Sequence, residues 1–369
     1  MSPARMASGT PAPAALALPG GGWIANPGWD STFFVGSLAL GIVLTTIALA
    51  APSLAIPATI AGGILFANTH NLVTGFFFLD AENLTYYRRF PHWYFTVPLL
   101  LLTSAMGITL VAPILAFVMH FFFTNWHVIR QSVGIQKLYL GRAKAAEVER
   151  KLDATLIYAA GVVLNGFALW KYGLLSGTSP LATVDGQPAA ALVTAGAVAL
   201  LGAILTGRVL WVGRRAGRVA WQRLAFGLTG IAMYSPYLVI DNLACAFLAG
   251  LLPHYMQYHG IFWLVGRNKY PGNPRYADSW LGKLAQDFRV WVGLVVVAAF
   301  AMGLLRAPHF LAEKSPALMA AYHTPVMLTL GAFYGLGWMH FYLDGLLFRF
   351  RYPEVRAAIL RYLKDPRAR

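Results

Sequence analysis

Cysteine is almost absent from this sequence: Cys245 is the only one in 369 residues. One thiol excludes a disulfide framework and any CxxC motif, and with no cysteine in reach of the histidines described below, thiolate-bound haem and iron–sulfur clusters are excluded as well. Set in an apolar run, Cys245 reads as a small buried hydrophobe. Charge is scarce as well. Charged residues make up 12% of the chain and hydrophobic ones 58%, whereas a soluble domain carries about 25% charged residues. So apolar a chain is not a nucleic-acid binder, despite its net charge of +15. No solenoid-length repeat appears.

What fills the sequence instead is long apolar runs. They predict an all-α, polytopic transmembrane bundle of about ten spans. Approximate limits are 32–52, 55–79, 93–111, 113–129, 154–175, 189–212, 224–240, 242–266, 290–307 and 321–347. The break between the seventh and eighth, marked by Pro236 and Asp241, reads as a turn or a kink. With the N-terminus inside, 26 of the 29 Lys and Arg fall in the inner segments. This bias predicts an N-in, C-in protein of a cytoplasmic (inner) membrane of the bacterial kind, its positive charge serving topology and anionic lipid. Residues 1–31 are expected to be a flexible cytoplasmic tail, 32–347 the bundle, and 348–369 a basic cytoplasmic tail. The stretch 140–153 is expected to be a solvated amphipathic connector.

The ionisable residues inside these runs carry the functional signal. His70, His120, His127, His254, His259 and His340 lie in the inner half of four spans, with Asp344 one turn beyond His340. Spans five, six, seven and nine hold none. Ionisable groups in a membrane are costly and usually face the interior, paired with each other or with a ligand. These seven residues are the candidate metal ligands, for one or two ions. His120 and His127 are two helical turns apart and share a face; His340 and Asp344 are an i, i+4 pair; His254 and His259 are about 140° apart on their helix. Asn125, Gln131, Gln257 and Tyr258 are candidate supports for the ligands. Imidazole with carboxylate suits iron, copper or zinc. Asp80 and Glu82, near Arg88 and Arg89, read as an interfacial charge cluster, and Asp241 as an outer-turn residue. His92 falls at the inner interface, and His309 and His323 near the outer face.

The segments "NTH" (68–70), "HFFFTNWH" (120–127), "HYMQYH" (254–259) and "HFYLD" (340–344) loosely resemble the histidine clusters of integral-membrane oxidoreductases. These are the lipid desaturases and hydroxylases and the Brp/Blh-type carotene-cleaving dioxygenases. The compact HxxxH and HxxHH boxes of the desaturases are absent, so the resemblance implies a chemistry class and carries over no catalytic residue.

Three functions are open at this point. The first is a non-haem metal oxidoreductase, iron foremost, acting on a hydrophobic lipid or isoprenoid-like substrate with an electron donor. Phe76 to Phe78 and Phe121 to Phe123 would line the substrate's path. The second is a b-type haem electron-transfer protein, with His70 and His120, or His254 and His340, as axial pairs. The third is a transporter of metal ions or small molecules.

Overall fold

The computed structural model describes residues 22–174, 187–271, 273–276, 279–285, 287–312, 314–350 and 352–363. Among these every regular element is helical. The first half of the chain forms α1 (Pro27–Asp30), α2 (Leu38–Ala50), α3 (Pro52–Gly62), α4 (Thr69–Val73), α5 (Phe76–Leu79), α6 (Ala81–Tyr87), α7 (Val97–Val111), α8 (Pro113–Arg142) and α9 (Glu147–Lys171). The second half forms α10 (Gln187–Arg215), α11 (Trp221–Ala232), α12 (Pro236–Val239), α13 (Leu243–Lys269), α14 (Trp280–Leu284), α15 (Phe288–Ala312), α16 (Pro316–Leu347) and α17 (Pro353–Ile359). Proline opens α1, α3, α8, α12, α16 and α17, where its missing N–H needs no partner. Asn242 and Ser315 cap α13 and α16 by accepting from backbone N–H groups.

Among the described residues five helices are long and apolar enough to cross a membrane: His92–Val111, Glu147–Lys171, Pro188–Arg215, Phe288–His309 and Pro316–Leu347. The pair Pro27–Val35 and Leu38–Ala50, bent by 42°, makes a sixth if taken as one span. The count is therefore five or six by length and apolarity, against the ten read from the sequence. The difference has a physical source. Both α8 and α13 exceed 25 residues, yet their own histidines, amides and tyrosines lower their apolarity.

α13 lies at the centre and is buried along nearly its whole length. It packs against α2, α3, α4, α8 and α12. α16 runs antiparallel to α7, and the motif "GAFYG" (331–335) lets the two backbones meet. A Cβ at Gly331 would lie 2.6 Å from Met106 Cα, and one at Gly335 2.9 Å from Leu102 Cα. Small residues four apart permit this approach in apolar surroundings. Between α11 and α13 the chain breaks: α12 is one turn, and Ile240 is extended. The Pro236–Asp241 feature is thus a turn between separate helices.

Several expectations need correction. The stretch 140–153, expected to be a solvated amphipathic connector, is solvated along one side only, where Gly141, Lys144, Glu147, Val148 and Lys151 are exposed. It is the end of α8, a turn, and the start of α9. Glu149 and Asp153 are buried there against Arg223, with Arg208 also on Glu149 and Gln136 on Asp153. Of the expected tail at 1–31, residues 1–21 lie outside the described residues, but Ile24, Ala25 and Asp30 are buried. Asp30 accepts from both of those backbone N–H groups and from the Tyr139 hydroxyl. Of the expected tail at 348–369, residues 351 and 364–369 lie outside the described residues, and Val355, Ile359 and Leu363 are buried.

Asp80 does not pair with Arg88 or Arg89. At the end of the α4–α5 segment it meets Lys269 at the end of α13, both wholly buried, and accepts from Tyr270 and Tyr276. Burial alone would raise the Asp80 carboxyl, but Lys269 and Tyr276 outweigh it and hold it below the ordinary carboxylate range. A depressed carboxyl contributes stability that is present above its unfolded-state pKa and is lost as pH falls through the folded one. Acid unfolding of the detergent-purified protein should therefore shift to higher pH in Lys269→Met. An unchanged acid limb would show that the pair contributes nothing.

Candidate metal centre

Four helices bring the site together. α4 supplies His70, α8 His127, α13 His254 and α16 His340, each buried. The imidazoles form a closed ring. Neighbouring centroids are 5.0 Å apart for His70–His254, 5.0 Å for His254–His127, 4.9 Å for His127–His340 and 4.6 Å for His340–His70. Successive rings stand at 81°, 87°, 68° and 86° to each other.

The proton positions follow from the partners. His70 Nδ1 lies 2.6 Å from the Ala67 carbonyl oxygen. An oxygen without a proton can only accept, so Nδ1 donates and Nε2 keeps its lone pair. His340 is oriented through two hydroxyls, those of Thr74 and Tyr258. An ionised Asp344 can only accept, so Tyr258 donates its hydroxyl to Asp344 Oδ1 at 2.7 Å. The Thr74 hydroxyl then donates to the Tyr258 oxygen at 2.5 Å. Thr74 therefore accepts from His340 Nδ1, 2.7 Å away. Again Nε2 is left with its lone pair.

The Nε2 atoms of His70, His127, His254 and His340 are all buried without a hydrogen-bond partner, as is Nδ1 of His254. Each such atom costs about 1–3 kcal/mol if nothing satisfies it. Asp344 Oδ2 lies 3.6 Å from His127 Nε2 and 3.7 Å from His340 Nε2. These gaps are long for hydrogen bonds. They suit two ligand atoms on one ion: donors about 2.0–2.2 Å from a metal and about 120° apart are themselves about 3.6 Å apart. The ring agrees. With each centroid about 3.2 Å from a bound ion, neighbours would be about 4.5 Å apart at right angles and about 5.2 Å at the tetrahedral angle. The donor atoms fall in two compatible groups, His70–His254–His340 and His127–His340–Asp344.

Of the seven expected ligands, five meet. His120 does not join them: its ring stacks on Tyr334 at 4.6 Å, on the same face of α8 as His127 but toward the other end. His259 turns away and bonds the Thr69 hydroxyl at 2.8 Å, as its angular offset from His254 dictates. The exposed His92 and His323 are not part of the group.

Among the expected supports, Tyr258 holds Asp344 and Gln131 donates to the His254 backbone carbonyl at 3.4 Å. Asn125 instead serves Tyr234 and Tyr237, and Gln257 donates to Ser37. Thr74 is the support that spacing did not single out. It lies four residues after His70, and that i, i+4 relation is the signal it offered.

All four site segments run the same way. His70 precedes Thr74, His254 precedes Tyr258 and His340 precedes Asp344, and in each the second residue meets the others' second residues. α8 follows suit: His120 faces Tyr334 and Gly337, His127 faces His340 and Asp344, and Arg130 approaches Gly345.

One side of the ring opens. His127 and Asp344 form part of the wall of a cavity of about 830 Å³. Phe123, Trp126, Trp338 and Phe341 also line it. Of the other aromatics expected along a substrate path, Phe77 packs on Phe262 and Phe121 on Phe247 in the core; the side chain of Phe76 lies outside the described residues.

Removing the Tyr258 hydroxyl breaks the chain of donors between His340 and Asp344. Tyr258→Phe should weaken metal binding about 10- to 100-fold, as loss of a ligand's hydrogen-bond partner typically does. A competitive chelator titration measures this, and an unaltered affinity would remove the relay from the site. No protein-family model, curated protein or solved structure matches the chain.

Proposed function

We propose that the protein is a membrane-embedded oxidoreductase that holds one non-haem iron and acts on a hydrophobic substrate entering the 830 Å³ cavity. The observation that carries this reading is the ring of four imidazoles with unpartnered Nε2 atoms, closed by Asp344. His340 belongs to both donor groups, and one Nε2 lone pair serves one ion, so the reading is mononuclear. Four imidazoles and a carboxylate are five donors. That exceeds the three protein ligands of a catalytic zinc site and leaves one of six positions open, as oxygen-using iron requires. Asp344 and His127 border the cavity, so the open side is the apolar, aromatic one. Iron supplies the redox chemistry. The chain's own residues hold it, set the tautomers of His70 and His340 through Ala67 and Thr74, and balance its charge with Asp344. A b-haem reading fits less well, because rings packed edge to face at 4.6–5.0 Å leave no slot for a flat macrocycle.

Protein purified in mild detergent should contain about one iron per chain and show no Soret band. His127→Ala and His340→Ala should each lose most of the metal, whereas His120→Ala and His259→Ala should keep it. A Soret band, two irons per chain, or full occupancy in His340→Ala would overturn the reading.

The same proposal has about ten crossings, both termini inside, and the basic loops at the cytoplasmic face. It draws support from the common direction of the four site segments: lying at one depth, they need a return crossing between them. Cys245 is buried, so single cysteines introduced elsewhere give clean labelling. In intact cells a membrane-impermeant maleimide should modify Lys314→Cys and spare Gly141→Cys. Equal labelling of the two would end the topology.

A further inference from the structure

The cavity beside the metal centre is not uniformly apolar. Arg130, Lys137, Arg150, Arg349 and Arg356 line it, and Asp344 is its only acidic wall residue. Elsewhere in the fold the buried cations meet carboxylates: Lys171 with Asp241, Arg223 with Glu149 and Asp153, and Lys269 with Asp80. None of the five cavity cations has a carboxylate at ion-pair distance among the described residues; Arg150 and Arg349 are half-buried, and Arg130, Lys137 and Arg356 are exposed at the cavity's open side. Three of them are oriented instead by backbone. The Nε of Arg349 donates to the Gly345 carbonyl at 2.7 Å, that of Arg150 to Ala145 at 3.1 Å, and that of Arg356 to Phe350 at 2.9 Å. Such bonds fix the guanidinium fork and leave its outer N–H groups to bind something else.

Two of the forks meet the same residue. Arg130 Nη1 lies 3.9 Å from where a Cβ on Gly345 would sit, and no other side chain beyond its immediate neighbours comes within 4 Å of that position. Arg349 is anchored to the same residue. Gly345 follows Asp344 directly, and Arg130 is one turn beyond His127, about 4.5 Å along the helix. The order along the cavity is therefore two arginines, then the metal centre, then Phe341, Trp338, Phe123 and Trp126.

We infer that the cavity takes an anionic amphiphile, with a phosphate or carboxylate head held by Arg130 and Arg349 and an apolar chain laid along the aromatic wall. Resting on the oxidoreductase reading, this makes the substrate a headed lipid rather than a neutral hydrocarbon. The metal then faces the first few chain atoms behind the head, not the far tail. Planar guanidinium forks bind such oxyanions bidentately.

The test is tryptophan quenching by a chain-brominated dodecyl phosphate, using the full-length protein in neutral-lipid nanodiscs, with and without chelator. Saturable quenching is expected, about tenfold or more weaker for the matching brominated alcohol, and about tenfold weaker in Arg130→Gln and in Arg349→Gln. Arg361→Gln, which removes an equal charge outside the cavity, should bind as the wild type does. Binding should survive removal of the metal, so failure of the iron reading leaves this result standing, and metal retention without binding sinks this inference alone. Equal affinity for the alcohol overturns the charged head. Inorganic phosphate competing as well as the amphiphile overturns the tail and makes the site one for free phosphate. An equal loss in Arg361→Gln reduces the effect to general surface potential. Should Arg130→Gln lose helix content, wild-type binding that does not weaken with ionic strength overturns the inference in its place.

Discussion

Nitrogen lone pairs do not tolerate one another in an apolar interior. The fold nevertheless brings four imidazoles from four different helices into one ring, with a carboxylate beside two of them, in two overlapping groups whose donor atoms could hold an ion. Without a cation, five buried nitrogen atoms go unsatisfied, at about 1–3 kcal/mol each. A cation inside the ring would satisfy the four Nε2 atoms and cross-link four helices, leaving His254 Nδ1 outside the coordination. Much of the surrounding structure serves this convergence. α13 is buried nearly throughout so that it can present His254 and Tyr258 to three neighbours. The glycine pair of α16 draws it against α7. Thr74 and Tyr258 hold His340 and Asp344 in fixed orientations.

The outline of this site was legible in the sequence because cost and periodicity are both readable there. Histidines in apolar runs need a reason, and helical spacing shows which ones share a face. That identified His70, His127, His254, His340 and Asp344 as candidates. It also said that His254 and His259 diverge, and they do. The inclusion of His120 failed because a shared face does not mean a shared depth: two turns along α8 the neighbours are Tyr334 and Phe333 rather than another histidine. The two-turn spacing gave that separation, about 10 Å along the helix, but not what packs beside His120.

The fold was legible as helices, and the helix-breaking features at Pro113 and Pro236 mark real breaks. Less legible were the charges. Arg223, Glu149 and Asp153 looked like loop residues facing solvent, yet they form a buried network tying α9 to α11. Lys269 and Asp80 do the same between α13 and the α4–α5 segment. A charge reads as exposed until its partner is known, and these partners lie 70 or more residues apart in the chain. Arg130 and Arg349 were hidden for the opposite reason. Their place in basic loops was fully accounted for by topology, which masked their position at a cavity.

The common direction of the four site segments bears on how the protein is made. The ligands are spread from residue 70 to residue 344, and the last two belong to α16. A chain emerging from its N-terminus presents His70, His127 and His254 long before their partners exist. Three imidazoles from three helices must be kept near one another by packing alone while α14 and α15 are still being added. On the metal-centre reading proposed above, capture of an ion closes assembly rather than nucleating it, and α16, drawn onto α7 by its glycines, acts as the latch.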